Sequence, residues 1–134
     1  MLELTSLRKA IDSLSESMDW YNKNSDGVPA DILRDSVIQR FEYTYELSWK
    51  MIKRWLEINL GSTYVDGISR KELFRYAAEH HLIQYPIKWF LYHEARNQTS
   101  HVYDETVAEE VFGVIDDFIK DVEYLYQEIV KHND

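Results

Sequence analysis

The stretch IQRFEYTYELSWKMIKRWL, residues 38 to 56, carries large side chains at intervals of three and four residues. This spacing brings one residue per turn to the same face of an α-helix. Pro29 suits the first turn of such a helix, and Gly61 suits its C-terminal cap. The sequence therefore predicts a central helix of about 30 residues. Its inner face would contain Phe41, Tyr45, Ser48, Ile52 and Trp55.

The segments on either side of this helix show the same spacing. A first helix is predicted before the linker NKNSDGVPAD, residues 22 to 31, with a stripe made of Leu4, Leu7, Ile11, Leu14, Met18 and Tyr21. A long last helix is predicted with a stripe made of Val107, Val111, Val114, Phe118, Val122, Leu125 and Ile129. Asp104 and Glu105 near its start suit the positive end of the helix dipole.

Two shorter helices are predicted between these long ones. Ser69 and Glu72 form a capping-box pattern ahead of LFRYAAEHH, and Pro86 opens PIKWFLYHEAR. No segment of useful length alternates with the period of a β-strand, and no internal repeat is present. The expected fold is all-α: an antiparallel, up-and-down four-helix bundle with an additional short helix, in a single domain over residues 1 to 134.

Composition limits the classes of function. The chain has no cysteine, so disulfides and thiolate metal sites are excluded. No stretch approaches the roughly 20 apolar residues of a membrane span, so no membrane association is expected and the cytoplasm is the default location. The formal net charge of -9 argues against indiscriminate nucleic-acid binding, and no DNA partner is expected.

The acidic charge is unevenly distributed along the chain. From Asp104 onward there are ten acidic residues and two lysines, whereas the preceding residues hold fourteen acidic and thirteen basic ones. The first part is therefore close to neutral. Such a surface can still present a local basic patch, so an anionic substrate remains compatible with the sequence.

Several aromatic and acidic residues admit both a structural and a functional interpretation. The aromatic side chains could stack on bases, but their helical spacing favours a core position for Trp20, Phe41, Tyr45, Trp49, Trp55, Trp89 and Phe90. The series Glu42, Glu46 and Lys50 follows i, i+4 spacing. That pattern favours a solvent-exposed face with a stabilising Glu to Lys pair.

The histidines do not form a recognisable metal motif. His80, His81, His93 and His101 show no HExxH spacing or comparable arrangement with a carboxylate on one helical face. No glycine-rich phosphate loop and no GxSxG motif is present either. Neither a metal nor a cofactor is therefore expected.

The stretch EARNQTSHVYDE, residues 94 to 105, stands out because Asn, Thr and Ser compete for the hydrogen bonds of a helical backbone. Arg96 and His101 would lie about 140° apart on one continuous helix, and a break at QTS would let them converge. An Arg suits a phosphate and a His can transfer a proton, which together resemble the minimum for metal-free RNA cleavage. A helix-end Arg and a capping His are the structural alternative.

Two motifs extend this interpretation to a family. RNQTSHVY, residues 96 to 103, resembles the R-x4-H-x-Y motif of HEPN domains, the toxin partners of HEPN/MNT toxin-antitoxin pairs. The stretch from Ile38 to Leu56 resembles the second helix of the same family, also labelled nucleotidyltransferase substrate-binding proteins. The resemblance covers nearly the whole chain.

The resemblance implies a HepT-like homodimer and a metal-independent endoribonuclease, with Arg96 and His101 at the active site and Asn97 helping to orient them. It also implies a small nucleotidyltransferase of the MNT type as antitoxin, which would neutralise the toxin by attaching AMP to Tyr103. Without the resemblance, Tyr103 would be interpreted as a structural or core aromatic. The competing hypothesis is a non-catalytic subunit that presents a substrate to the nucleotidyltransferase.

Overall fold

The computed structural model describes residues 2–24 and 27–133, and the residues described form helices and connections with no β-strand. Ser25 and Asp26, in the predicted linker, lie outside the described residues, as do Met1 and Asp134. In chain order the helices are α1 (Thr5–Lys23), α2 (Ala30–Leu60), α3 (Ser62–Val65), α4 (Arg70–Glu79), α5 (Pro86–Gln98), a 3-10 helix (Thr99–His101), α6 (Glu105–Gly113) and α7 (Ile115–Lys131). The predicted all-α bundle is confirmed.

The long helix α2 is the centre of the bundle. It packs along α1 and also contacts α3, α4, α5, α6 and α7. Its inner face is the one predicted from sequence, with Phe41, Tyr45 and Ile52 completely buried. The ring of Phe41 meets the ring of Phe118 from α7 edge to face, with 5.0 Å between centroids. Burial of these large side chains is the main force holding the helices together.

The predicted helix ends are also confirmed, except that Pro29 directly precedes α2, which begins at Ala30, and does not lie in its first turn. Ser69 Oγ accepts a hydrogen bond from the Glu72 backbone N–H at 3.2 Å, which caps α4. Pro86 is the first residue of α5. Asp104 Oδ1 accepts from the Thr106 N–H at 2.9 Å, and Gly61 caps the end of α2 with a φ of 95°. These local interactions fix where the helices around the RNQTSHVY segment begin and end.

One prediction about the helices is wrong. The last helix is two helices, because the chain turns at Val114 between α6 and α7. The N–H of Val114 donates to Val111 O at 3.3 Å, a tighter connection than the α-helical one. Gly113 precedes the turn and has low helix propensity. The side-chain stripe continues across the turn, so periodicity alone could not reveal it.

Two smaller expectations also need correction. Trp20 is 49% exposed and does not belong to the core, because it lies about 200° around α1 from the buried Met18. The connection after α2 contains the short helix Ser62–Val65, which the sequence did not predict. Among the other predicted core aromatics, Phe41, Tyr45, Trp55 and Trp89 are buried, whereas Trp49 and Phe90 are partly buried.

Ion pairs join the two C-terminal helices to α1 and α2. The guanidinium of Arg34 in α2 binds the carboxylate of Glu105 through contacts of 2.6 and 3.1 Å, at the first residue of α6. Arg8 of α1 binds Glu123 of α7 through two contacts of 2.8 Å. The two bidentate pairs set the positions of α6 and α7. No helix in the described part of the chain is both long and apolar enough to cross a membrane.

Candidate active site

The RNQTSHVY segment lies where α5 gives way to a 3-10 helix. The Thr99 hydroxyl donates to Arg96 O at 2.8 Å, and so satisfies a carbonyl at the end of α5. Thr99 is buried, whereas Ser100 and His101 are exposed. The predicted break in the helix is therefore present. It occurs because Thr99 turns inward to close α5 while the next two residues face solvent.

Arg96 is surrounded by acidic groups from α2. Its Nε lies 2.9 Å from Glu46 Oε1 without hydrogen-bond geometry, and its Nη2 lies 3.8 Å from Glu42 Oε1. Nη1 donates to Thr99 Oγ1 at 3.4 Å. The prediction of a Glu to Lys pair on α2 is wrong. Glu42 and Glu46 face Arg96 instead, and no ion pair joins Glu46 to Lys50 in the described part of α2. The two carboxylates hold Arg96 and partly neutralise it.

His101 and Tyr103 follow the break and are exposed. Their rings approach edge-on, with 6.3 Å between centroids. Tyr103 is 87% exposed, so its hydroxyl is accessible to another macromolecule. Within residues 27–133, no hydrogen bond or ion pair joins Arg96 to His101. Their joint action on a substrate stays a prediction.

A second polar cluster, which the sequence analysis did not identify, lies beside this segment. Tyr45 Oη lies 2.8 Å from His93 Nδ1, and Arg70 Nη1 donates to Tyr45 Oη at 3.4 Å. Asn97 Nδ2 lies 3.5 Å from His93 Nε2. The i, i+4 spacing of His93 and Asn97 is the one sequence signal that could have linked the cluster to the motif.

Burial determines the protonation states in this cluster. Desolvation raises the pKa of Tyr45 to about 12, although the nearby Arg70 opposes the increase. Desolvation, followed by the positive charge of Arg70, lowers the pKa of His93 below the ordinary value of 6.5. Both side chains are therefore neutral around pH 7.

Basic residues gather around Trp49, next to Glu46. The guanidinium carbon of Arg70 lies 3.5 Å from the centroid of the Trp49 ring, and Lys50 Nζ lies 5.8 Å from it. Lys53 lines the same depression as Trp49 and Arg70. Trp49 Nε1 donates to Glu46 Oε2 at 2.9 Å, so this basic patch is joined through Glu46 to Arg96. We refer to Lys50, Lys53 and Arg70 as the basic patch.

An open groove of about 590 Å³ runs between α5 and α6 on the other side of the motif. Glu94, Asn97 and Gln98 of α5 and Glu110 of α6 supply its polar lining, and Leu91 and Val114 supply apolar lining. The described residues contain no cluster of three or more histidine, aspartate or glutamate side chains placed to hold a metal ion. Because Glu94 and Glu110 both line the groove, it disfavours an anionic group.

The sequence matches a known family over nearly its full length. Residues 2–131 match the family described as nucleotidyltransferase substrate binding protein like. A relative from Haemophilus influenzae, named "Probable ribonuclease HepT", is 33% identical over 129 residues, which are 96% of this chain and 87% of the relative.

Solved structures agree with this assignment. A Haemophilus influenzae protein described as having the fold of a substrate binding domain of a nucleotidyltransferase aligns with a TM-score of 0.84 and 32% identity, covering 95% of this chain and 98% of that one. A protein from Thermus thermophilus aligns with a TM-score of 0.73 and 28% identity, covering 92% of this chain and 98% of that one. The family predicted from the two motifs is thereby confirmed: the chain is HepT-like and belongs to the nucleotidyltransferase substrate binding protein like family.

Proposed function

We propose that this protein is the toxin of a HEPN/MNT toxin-antitoxin pair, a metal-independent endoribonuclease that acts on RNA in the cytoplasm. The observation that carries the proposal is the helix break after Gln98, which leaves His101 exposed. Five residues earlier, Arg96 is held against α2 by Glu46. A passive binding surface has no need of an exposed proton-transfer group at such a break. The name of the Haemophilus influenzae relative supports the same activity.

The proposed chemistry is transfer of a phosphoryl group within the RNA. The ribose 2′-oxygen attacks the adjacent phosphorus while its proton passes to a base, and the P–O5′ bond breaks while the leaving oxygen gains a proton. The products are a 2′,3′-cyclic phosphate and a 5′-hydroxyl. Arg96 would bind the phosphate, with Asn97 as a neighbouring donor, and His101 would transfer a proton.

The basic patch supports an RNA substrate despite the net acidity of the chain. Lys50, Lys53 and Arg70 lie around Trp49, and the guanidinium of Arg70 covers one face of its indole ring. The basic patch therefore offers positive charge to the RNA backbone. Most of the net negative charge lies in α6 and α7 instead. RNA would therefore approach Arg96 from the side of α2 and α4.

A homodimer would complete the site. The reaction needs a base and an acid, and one chain offers one exposed histidine in the motif, so a two-fold pair of chains would supply both. The outer face of α5 is suited to such contact, because Ile87 is 71% exposed and Leu91 is 50% exposed, one turn apart beside the groove. This face would bring two copies of the motif together.

The partner of the toxin would be a small nucleotidyltransferase of the MNT type that attaches AMP to Tyr103. The exposure of the Tyr103 ring supports this assignment, since the hydroxyl of a buried tyrosine could not enter another active site. An adenylyl group would add negative charge and bulk two residues from His101. It would thereby repel and block the RNA phosphate.

The purified protein and a defined single-stranded RNA test the proposal. Cleavage should persist in EDTA and leave cyclic phosphate and 5′-hydroxyl ends, and expression without the antitoxin should slow growth. A wild-type protein that neither cleaves RNA nor slows growth would overturn it.

The alternative function is a non-catalytic subunit that presents a substrate to the nucleotidyltransferase. The family description and the description of the Haemophilus influenzae structure favour it. Under this alternative, adding the protein should lower the KM of the transferase for its substrate, and substitution of both Arg96 and His101 by alanine should leave RNA and growth unaffected. The toxin hypothesis expects those two substitutions to abolish toxicity.

A further inference from the structure

We propose that His93 is a positioning residue: a hydrogen-bonded chain running from Arg70 through Tyr45 and His93 holds the Asn97 amide so that its NH₂ group faces an incoming phosphate. The proposal rests on the proposed function for the identity of that phosphate, which would belong to RNA. The chain joins three helices, since Tyr45 lies on α2, Arg70 on α4 and the other two residues on α5.

The direction of the chain follows from its first member. A guanidinium can only donate, so Tyr45 Oη accepts from Arg70 Nη1 at 3.4 Å. The Tyr45 proton must then point elsewhere, and Tyr45 has no accessible surface. His93 Nδ1, at 2.8 Å, is the acceptor for this proton among the described residues. His93 therefore accepts at Nδ1.

This arrangement fixes the state of the imidazole. A neutral histidine that accepts at Nδ1 carries its hydrogen at Nε2. Burial and Arg70 both disfavour the imidazolium, whereas Glu46 of α2 and Glu94 of α5 favour it less strongly. Arg96, also on α5, adds to the effect of Arg70. The hydrogen bond from Tyr45 to Nδ1 thus fixes the tautomer of His93, which carries its hydrogen at Nε2.

These hydrogen bonds determine the orientation of the Asn97 side-chain amide. Asn97 Nδ2 lies 3.5 Å from His93 Nε2, and two donors cannot form a hydrogen bond. Rotation of the amide by 180° brings Oδ1 next to His93 Nε2, where it accepts the hydrogen bond. This rotation is allowed because the two ends of an amide have nearly the same shape. The NH₂ group then faces away from His93, and Asn97 is exposed at the end of α5 directly beside Arg96. A donor at this exposed position suits a phosphate oxygen.

Nuclear magnetic resonance of the ¹⁵N-labelled full-length protein tests the direction of these hydrogen bonds. The test does not rely on catalysis. Long-range ¹H–¹⁵N spectra should show His93 protonated at Nε2 at pH 7. Titration with inorganic phosphate should shift the side-chain amide signals of Asn97 in the wild type, and should shift them at least about threefold less in His93→Phe. A hydrogen at Nδ1, or an equal response in His93→Phe, would overturn the proposal.

RNA cleavage tests the consequence. We expect His93→Phe to lower kcat about 10-fold with little change in KM, because the misplaced amide acts after RNA has bound. His93→Gln should recover most of the rate, since its Nε2 can occupy the position of the imidazole Nε2 and donate to Asn97. His93→Asn, which lacks an atom at that position, should not. His132→Gln replaces an exposed histidine on the last turn of the bundle and should cleave like the wild type.

The outcomes separate this inference from the proposed function. Wild-type cleavage with an unchanged rate in His93→Phe would overturn the positioning role and leave the nuclease intact. Absence of cleavage in the wild type would overturn the nuclease. The tautomer and the phosphate response of Asn97 would then still decide whether His93 positions the amide.

Discussion

Arg96 at the end of α5 and Glu46 in the middle of α2 are 50 residues apart in sequence and 2.9 Å apart between Nε and Oε1. Both side chains are about two-thirds buried, with exposures of 29% and 31%. The pair therefore holds Arg96, the residue proposed to bind the phosphate, against the central helix α2. Arg96 is thus attached to the central helix of the fold rather than to a free loop.

We expect this pair to stabilise the fold modestly. A double-mutant cycle with Glu46→Ala and Arg96→Ala should give a coupling of about 0.5–1 kcal/mol in the free energy of unfolding, measured by urea denaturation. The value is limited because water still reaches both groups. Lys88 and Asp117 are a suitable control, since they are 3.7 Å apart and more exposed, and their coupling should be near zero. Equal couplings for the two pairs would contradict the prediction.

Removal of either proposed catalytic side chain should abolish most RNA cleavage. Arg96→Ala and His101→Ala should each lower kcat/KM about 100-fold or more, because one loses charge stabilisation and the other loses proton transfer. Circular dichroism should show an unchanged helical content. His132→Ala, at an exposed position after α7, serves as the matched control and should keep full activity.

Assembly through the outer face of α5 can be tested with one charge. Leu91→Glu should convert the dimer to a monomer in light scattering at micromolar concentration, because it places a carboxylate in an apolar contact. RNA cleavage should disappear with the dimer. Ile58→Glu changes an equally apolar residue that is 61% exposed on α2, and it should remain dimeric. A wild-type monomer would contradict the assembly.

Modification by the partner should be confined to one tyrosine. Co-expression with the nucleotidyltransferase and ATP should add one or more units of ~329 Da, the mass of AMP less water, at Tyr103, and cleavage should stop. Tyr103→Phe should keep the nuclease and escape this control. Tyr64→Phe, at a tyrosine that is 67% exposed, should still be modified and silenced. Neutralisation without any mass increase would favour simple complex formation.

The Arg34–Glu105 pair should make stability depend on pH in the acid range. Its hydrogen bonds hold the pKa of Glu105 below the ordinary value of 4.5. The unfolded chain therefore binds the proton first as pH falls, so the stabilisation is present above pH 4.5 and is lost as pH falls through the folded pKa. The difference in unfolding free energy between wild type and Glu105→Gln should narrow over that range. Glu109→Gln, on the exposed side of α6, should leave the pH curve unchanged.

The helices could be predicted because their causes are local. The stripe from Leu4 to Met18 and the caps at Ser69 and Pro86 depend on residues within one or two turns of each other. The division at Val114 could not be predicted in this way. The apolar spacing reports which face is buried, and that face continues through the turn while the backbone hydrogen bonds change.

The side chains of the candidate site could be listed from the sequence only in part, for a related reason. Arg96, Asn97, His101 and Tyr103 stand in one short motif that sequence inspection can find. Tyr45 and His93 are 48 residues apart, and Arg70 reaches them from a third helix. Their meeting depends on how α2, α4 and α5 pack. No spacing along the chain encodes that packing directly.

The stack of Arg70 on Trp49 makes the indole an internal optical probe. Trp49 is partly buried beneath the guanidinium, whereas Trp55 and Trp89 are buried and Trp20 lies on α1, away from this stack. Indole emission responds to nearby charge, so an RNA phosphate that binds beside Arg70 would change the wavelength and intensity of the fluorescence. Encounter between the protein and RNA could therefore be followed in real time, before any bond is cleaved and without an added label.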